Sequence, residues 1–476
     1  MVKKTFHKYI SLAQQLEKAI TDGRYQTGDK LPSLRTIKSD HGVSVSTALE
    51  AYLYLQDKGL ITAKEKSGYF VNHILSQTNL PAPKHKKQKI IKAKTVKRFD
   101  IIRDIYLAEN ENRISFAVVA PGNHMIPQNQ LLKIMNKVVN RQHKGLLNYG
   151  SITGHAALKK EISKRSIRSG IICSEDAVCI TAGCVEAIQI ALRAVTKAGD
   201  IVAVESPCYY GFLQIIEVLN LRVVEIPSDA GTGMDTVSLK KAIASFDIKS
   251  ILLSANFSNP TGALMSDESK KELMTIAEQN KIPVIEDDVY GDLSYYGQRP
   301  LTIKSFDSNG WCIYCSSFSK SLAPGSRIGW IIPGRFMEIV EKLKYITNMT
   351  TAIHPQIVIA NFLQEGGYEL HLRRLRTQTL QQIHTIQQVV IKHFPEGTKI
   401  TSPQGGYTLW VELPSKYDAS ELYLKALKNN VTFLPGKLFT TSKQFDNFLR
   451  LSCGNMLTTK HIRALELLGK LVRQDV

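Results

Sequence analysis

The chain has 476 residues, of which 43% are hydrophobic and 22% charged, and it carries a formal net charge of +19. This length and composition predict a globular protein of roughly three domains and exclude a disordered or fibrous chain. The seven cysteines, an odd number, disfavour a disulfide framework, and no apolar run reaches the ~18 residues of a membrane span, so we expect a cytoplasmic protein without a membrane partner.

The positive charge is concentrated near the N-terminus. Residues 1–76 contain 11 Lys and Arg against 7 Asp and Glu, and the run KHKKQKIIKAKTVKR at 84–98 adds eight positive charges and no negative one. Such asymmetry favours a polyanionic partner, duplex DNA, for this part of the chain. The alternative is a solvated tail that serves solubility.

The first 76 residues predict three short helices and a β-hairpin. A second helix is expected at 33–40 and a third at about 44–58, with Ser33 and Ser44 as their N-caps. The strand-like segments LITAK and GYFV complete a winged helix-turn-helix, whose second helix of the pair enters the major groove of DNA. The first helix is indicated by apolar residues at helical spacing: Leu12, Leu16 and Ile20.

This region resembles the GntR family of bacterial regulators. The matching landmarks are GxxxxGDKLPSxR at 23–35, VSxST at 43–47 and SGYFV at 67–71. The resemblance implies that five positions face DNA: Arg35, Ser44, Ser46, Thr47 and the wing around Gly68. An alternative role for such a fold is dimer contact alone.

One position departs from the GntR pattern. Val45 stands where the family usually has arginine. We therefore expect Lys64, Lys66 and the basic linker to supply more of the DNA affinity.

Residues 77–110 predict a basic, flexible linker. Pro81 and Pro83 interrupt any regular periodicity, and the lysine run that follows repels itself. We expect this segment to tether two folded parts and to follow the DNA phosphates.

Residues 111–476 predict an α/β body. Short β-branched strands alternate with helices, which is typical of a mainly parallel sheet covered on both faces. We divide the body into a large part, at about 145–350, and an α+β small part, at about 351–476 together with 111–144. Cys312 and Cys315 lie three apart on one strand and point to opposite faces, so they do not predict a metal site.

Polar clusters fall at the carboxyl ends of these strands, where such sheets carry their sites. Lys320, in SFSKSLAPGSRIGW, offers an amine that can form an imine with an aldehyde. Groups that suit a phosphate surround it in the sequence or are expected nearby: the hydroxyls of Ser317 and Ser319, the guanidinium of Arg327, and the amides of Gly183, Cys184 and Val185 at a helix N-terminus.

Four more residues suit a pyridine ring. Asp287 at a strand end can keep a pyridine nitrogen protonated, which makes the ring an electron sink. Tyr209 offers an aromatic face, and Asn259 and Tyr290 can hydrogen-bond a ring phenolate. Together with the phosphate groups and Lys320, this set predicts pyridoxal 5'-phosphate (PLP) as the cofactor.

These residues resemble the fold-type I aminotransferases. Their motifs stand in the expected order: YGxxxG (149–154), SPxY (206–209), NPTG (259–262), DxxY (287–290), SxSKxxxPGxRxG (317–329), PQGGYTLW (403–410) and FLRLS (448–452). The resemblance implies catalytic roles for Lys320, Asp287 and Tyr290. It also implies that Arg450 takes the α-carboxylate of an amino acid, with Asn259 nearby.

Tyr149 matches the tyrosine that reaches the phosphate of a neighbouring subunit, which implies a homodimer. A GntR-like domain joined to an aminotransferase-like body resembles the MocR subgroup of regulators. The resemblance implies a transcription regulator that senses an amino acid or amine through an external aldimine at Lys320. The alternative is a working aminotransferase that moves amino groups to a 2-oxo acid, since every residue that this reaction needs is retained.

Overall fold

The computed structural model describes most of the chain. Most of the predicted linker, the side chain of Lys64 and all of Lys66 lie outside the described residues. The described ranges are 8–26, 28–57, 60–64, 67–71, 82–83, 93–96, 113–141, 145–296, 298–442 and 444–473.

The N-terminal region has the predicted three helices and hairpin. Ser33 accepts a hydrogen bond from the Thr36 amide and begins the second helix, while Ser44 accepts one from the Thr47 amide (3.0 Å) and begins the third. Gly42, in the left-handed region at φ 60°, makes the sharp turn between them. The elements are α1 (Lys8–Thr21), α2 (Leu34–His41), α3 (Val45–Asp57), β1 (Ile61–Lys64) and β2 (Gly68–Val71), the two strands pairing antiparallel.

A small core of its own holds this region together. The predicted stripe of α1 is buried, and it packs with Ile37 of α2 and Tyr52 and Leu55 of α3. The Tyr52 hydroxyl donates to the carbonyl of Pro32 (2.6 Å), which fixes α3 against the turn before α2. The winged helix-turn-helix prediction is therefore confirmed.

The body is built on a nine-stranded, mostly parallel sheet, as predicted. Its strands run in the order β3-β7-β6-β9-β10-β11-β12-β5, with β8 paired to β7. The five central strands are parallel, and β12 is antiparallel to both of its neighbours. The ranges are β3 (Lys94–Thr95), β4 (Ile114–Ser115, outside this sheet), β5 (Cys179–Thr181), β6 (Ile201–Ser206), β7 (Arg222–Asp229), β8 (Gly233–Met234), β9 (Ile248–Leu253), β10 (Val284–Asp287), β11 (Cys312–Ser317) and β12 (Gly329–Ile332).

Helices cover both faces of this sheet. Along β9, Ile251 and Leu253 belong to one core while Leu252 belongs to the other, because successive side chains of a strand point to opposite faces. The helices of the body are α4 (Gln128–Arg141), α5 (Ala156–Ser166), α6 (Cys184–Val195), α7 (Tyr210–Val218), α8 (Thr236–Ser245), α9 (Asp267–Asn280), α10 (Met337–Asn348), α11 (Ile353–Gln364), α12 (Gly367–His393), α13 (Ala419–Lys428) and α14 (Thr459–Arg473).

A second, smaller sheet forms the C-terminal part. Its strands are β13 (Lys399–Ile400), β14 (Thr408–Glu412), β17 (Phe448–Ser452) and β16 (Leu434–Pro435), while β15 (Val431–Thr432) pairs with β4. The core of this part surrounds Trp410, which is fully buried and stacks on Phe448.

Two boundaries differ from the sequence-based division. Residues 93–96 fall within the predicted linker, but Lys94–Thr95 pairs with β7 and Val96 is buried in the large core. The large core also takes in α4, α11 and the first half of α12, whereas the second half of α12 packs in the small core. The boundary between the large and small cores therefore lies within α12, C-terminal to the predicted boundary at residue 351. The reason is that this long helix has apolar residues in both cores.

Candidate active site and DNA-facing surface

The candidate site of the body lies where the central strands end. Asp287 is the last residue of β10 and is buried. Its carboxylate accepts hydrogen bonds from the Cys184 thiol (3.3 Å) and from the Val289 amide (3.3 Å). Burial raises the pKa of Asp287 to about 6, and the thiol and amide donors limit that rise.

Lys320 follows β11 and points into the same place. The Lys320 amine donates to the carbonyl of Val119, and the Tyr407 hydroxyl donates to the backbone carbonyl of Lys320 (2.8 Å). Burial lowers the pKa of Lys320 to about 8; Asp287 opposes this change, and Arg450 adds to it. An amine with such a pKa is partly unprotonated near neutral pH, as a nucleophilic lysine must be.

We call the phosphate-suited groups around the start of α6 the anion cradle: the amides of Gly183, Cys184 and Val185 with Ser317, Ser319 and Arg327. Gly183 has φ +100°, and a Cβ there would lie 2.5 Å from the Arg327 guanidinium, so only glycine lets that group approach.

Arg327 spans the cradle. It donates to the carbonyl of Ala182 (3.0 Å) and to the Ser319 hydroxyl (3.3 Å), while Ser317 accepts from the Ser319 amide (3.4 Å). A helix N-terminus beside a guanidinium is an arrangement that binds anions.

Asn259 and Tyr290 contact each other, and Tyr290 lies near Asp287. Asn259 is 3% exposed, and its side-chain oxygen has no hydrogen-bond partner among the described residues. Burial raises the pKa of Tyr290, while a hydrogen bond with Asn259 opposes that rise. Tyr290 therefore keeps its phenolic proton at physiological pH and can donate it.

Tyr209 is the N-cap residue before α7 and lies where the two body cores meet. Its ring packs edge-on against Phe212, and a Cβ at Gly211 would come within 2.4 Å of it. Gly211 thus leaves room for the Tyr209 ring.

Arg450, on β17, is fully buried and donates to the carbonyl of Ala117. Because Lys320 contacts Val119, the segment 117–119 connects the amine to the guanidinium through its backbone. Sequence reasoning missed this segment and the Tyr407 hydroxyl. A contact made by a backbone carbonyl cannot be predicted from residue type, because every residue has one. Tyr407 could have been found, since it lies in the motif PQGGYTLW.

One predicted cofactor residue lies at the surface: Tyr149 is 81% exposed. Contact with a second subunit would require such exposure, and the role of Tyr149 stays a prediction. Val185 is 44% exposed, but its predicted role belongs to its backbone amide in the anion cradle.

The candidate DNA surface of the N-terminal region is polar and open. Arg35 is exposed on α2, and the Ser44 hydroxyl bonds those of Ser46 (2.8 Å) and Thr47 (2.8 Å) at the start of α3. Gly68 in the wing has φ +105°, and a Cβ there would lie 3.1 Å from the Lys30 side chain. Val45 and Leu49, one turn apart on α3, are 43% and 36% exposed.

Comparison with known proteins matches both parts of the chain. Residues 105–466 match the family model of aminotransferase class I and II, and residues 8–71 match that of the bacterial regulatory proteins of the gntR family. None of the helices in the described part of the chain has the length and apolarity that a membrane span requires.

Relatives share this architecture from end to end. YjiR of Escherichia coli (strain K12), described as an uncharacterized HTH-type transcriptional regulator, is 34% identical over 98% of this chain and 98% of its own. YdcR of the same organism, described likewise, is 33% identical over 98% and 99%. The solved structure of Pyrococcus horikoshii kynurenine aminotransferase superposes with a TM-score of 0.74 and 29% identity, covering 79% of this chain and 95% of that one.

The fold agrees with both matches, and the relatives carry the two parts in the same order along nearly their whole length. The chain therefore belongs to the MocR-like GntR-type regulators, in which a GntR helix-turn-helix domain is joined to an aminotransferase class I and II domain.

Proposed function

We propose that this protein is a transcription regulator that binds duplex DNA through residues 8–71 and senses an amino acid or amine through PLP in its body. The observation that carries the proposal is that one chain joins a GntR domain to a site in which the half-buried Lys320 and the buried Asp287 lie beside an anion cradle. We call residues 8–71 the reader domain. Joining this domain and the site in one chain would let occupancy of the site influence DNA binding.

The donors at the site fit PLP. The anion cradle would hold the phosphate, Asp287 the pyridine nitrogen, and the buried pair Asn259 and Tyr290 the ring phenolate. A phenolate oxygen only accepts hydrogen bonds, so the side-chain nitrogen of Asn259 and the hydroxyl of Tyr290 would be its donors. Bound PLP would supply an electron sink for bonds at the carbon that carries the amino group.

The chain's own residues then define the ligand. Lys320 would provide the amine that a ligand's amino group displaces, and its lowered pKa lets it accept or release a proton near neutral pH. Arg450 would take a carboxylate, because a guanidinium pairs with one through two parallel hydrogen bonds. Amino acids should therefore bind more tightly than amines of the same side chain.

Aminotransferase activity is a second candidate function. The observation in its favour is that Asp287 and Arg450 both lie close enough to Lys320 to influence its protonation. We also propose a homodimer, in which the exposed Tyr149 contacts the phosphate held by the second subunit.

One titration separates the two functions. The full-length, PLP-loaded protein is mixed with a duplex selected from a random library, and DNA affinity and 2-oxo acid release are measured together across a panel of amino acids and amines. A compound that changes DNA affinity with little oxo-acid release supports the regulator. Fast release with unchanged DNA affinity for every active compound would leave only the aminotransferase.

A further inference from the structure

A negatively charged side chain, Glu186, lies next to the anion cradle, and anion binding does not explain it. Glu186 is the third residue of α6, the helix whose first amides form the cradle, and its carboxylate accepts a hydrogen bond from the Ala182 amide. A carboxylate in the first turn favours the helix, but it also competes with an anion for the positive end of the helix dipole. A phosphate dianion placed there would be repelled by Glu186.

A buried lysine forms an ion pair with this carboxylate. Lys344 of α10 is fully buried, and its amine lies 3.3 Å from Glu186, which is 11% exposed. The amine also donates to Asn348 and to the Thr351 hydroxyl (2.8 Å), and the Asn348 amide donates to Glu186 (2.7 Å). A buried lysine is rare unless it is paired, so this cluster fixes the charge of Glu186 as one half of a neutral pair.

The same cluster fixes the backbone that enters the cradle. Glu186 holds the Ala182 amide, Arg327 holds the Ala182 carbonyl (3.0 Å), and the Thr351 hydroxyl donates to the Ile180 carbonyl (3.2 Å). The turn from β5 into α6 is thus held from three sides, one of which depends on Lys344 through Thr351.

We infer that Lys344 is a positioning residue for the phosphate of the cofactor: it neutralises Glu186, so that the anion cradle presents a net positive charge to the phosphate dianion. The inference rests on the proposed binding of PLP. With the charge of Glu186 neutralised, the Arg327 guanidinium and the positive end of the α6 dipole would be the charges that face the phosphate.

Two variants break the same ion pair with opposite electrostatic results. Lys344→Met leaves Glu186 negative, and Glu186→Gln leaves Lys344 positive while its amide oxygen can still accept from Ala182. An unpaired unit charge within one helical turn changes anion affinity by about tenfold or more at an effective dielectric constant near 20. We expect PLP to bind Lys344→Met at least about tenfold more weakly than wild type, and Glu186→Gln equally or more tightly.

The experiment titrates cofactor-free, full-length protein with PLP and follows absorbance. The double variant should recover wild-type affinity, since it restores neutrality, and Lys342→Met should have no effect because Lys342 pairs with Glu338 on the exposed face of α10. Pyridoxal, which lacks the phosphate, should bind the wild type and all variants alike. If Lys344→Met does not fold, Lys344→Gln takes its place, because a glutamine can keep polar contacts with Asn348 and Thr351 while it leaves Glu186 without a positive partner.

Weaker PLP binding by both single variants to the same extent, or equal losses for pyridoxal and PLP, would show a purely structural role and overturn the inference. Wild-type protein that binds no PLP would overturn the proposed function, and the inference with it.

Discussion

The reader domain and the body place their candidate functional side chains in opposite environments. In the reader, Arg35 and the hydroxyl group of Ser44 lie open to water at the surface. In the body, Asp287 is 6% exposed and Arg450 is not exposed at all. Contact with a polyanion is built from many exposed charges that salt screens, whereas a small ligand is held by a few buried charges in a low dielectric. The two regions should therefore respond differently to mutation, salt and pH.

The largest expected effect is in the body. Lys320→Ala removes the amine and should abolish covalent attachment of PLP, measured by borohydride reduction followed by mass spectrometry of the tryptic peptides. Lys342→Ala is the control, because that lysine is 67% exposed on α10. Wild-type protein with PLP fixed to another lysine would refute the role of Lys320.

Salt should affect the reader strongly and the body little. Each phosphate contact adds a slope of roughly −0.9 to the plot of log affinity against log salt, so six contacts lower DNA affinity by about a thousandfold between 50 and 200 mM salt. A fragment of residues 100–476 should lose specific binding. A flat salt response, or equal binding by that fragment, would contradict the assignment of the DNA surface.

Buried charge in the body should cost stability in the absence of cofactor. Burial raises the pKa of Asp287 to about 6, so the native state binds this proton more tightly than the unfolded state. The free energy of unfolding therefore falls as the pH rises from about 4 to about 6. Above about pH 6 the full cost of the buried charge applies, and below about pH 4 Asp287 is protonated in both states and costs nothing. Asp287→Asn should raise the free energy of unfolding at pH 7 by about 2–3 kcal/mol, with the difference closing as the pH falls from 6 to 4.

Denaturant titrations of the cofactor-free proteins at several pH values provide the measurement. Asp176→Asn is the matched control, since that side chain is 90% exposed, and it should show no such gap. Equal stability of Asp287→Asn and wild type at every pH would mean that the buried site tolerates the charge at no cost.

The smallest expected effect concerns base recognition. Val45 and Leu49 offer two exposed apolar side chains at the start of α3, and such groups contact thymine methyls in the major groove. Replacing single thymines of a selected operator by deoxyuridine should weaken binding by about fourfold at the contacted position, since one buried methyl contributes about 0.8 kcal/mol. The Val45→Ala variant should lose this sensitivity, and its persistence would assign the contact elsewhere.

The sequence predicted the elements that carry strong local signals. Ser33 and Ser44 mark helix starts because a side-chain oxygen there satisfies a free amide, and Asp287 and Lys320 follow apolar strands that could only end at one edge of a parallel sheet. These motifs predicted candidate residues that the fold brings together at the ends of β10 and β11.

Contacts that depend on tertiary packing were not predictable. Lys344 looks like an ordinary surface lysine of an amphipathic helix, and only the fold brings it to Glu186, 158 positions away in the sequence. The pairing of Lys94–Thr95 with β7 was hidden by the basic composition around it. The Val119 carbonyl was equally hidden, since every residue carries one.

The central claim is that a ligand in the body and DNA on the reader influence each other, and reciprocity tests it most directly. The affinity of full-length, PLP-loaded protein for the most effective amino acid or amine is measured with and without saturating operator, a scrambled duplex serving as control. Coupling between two sites must be equal in both directions, so the operator should change ligand affinity by the factor by which the ligand changes operator affinity, about 5- to 150-fold. Ligand affinity that is the same with and without operator would contradict the claim.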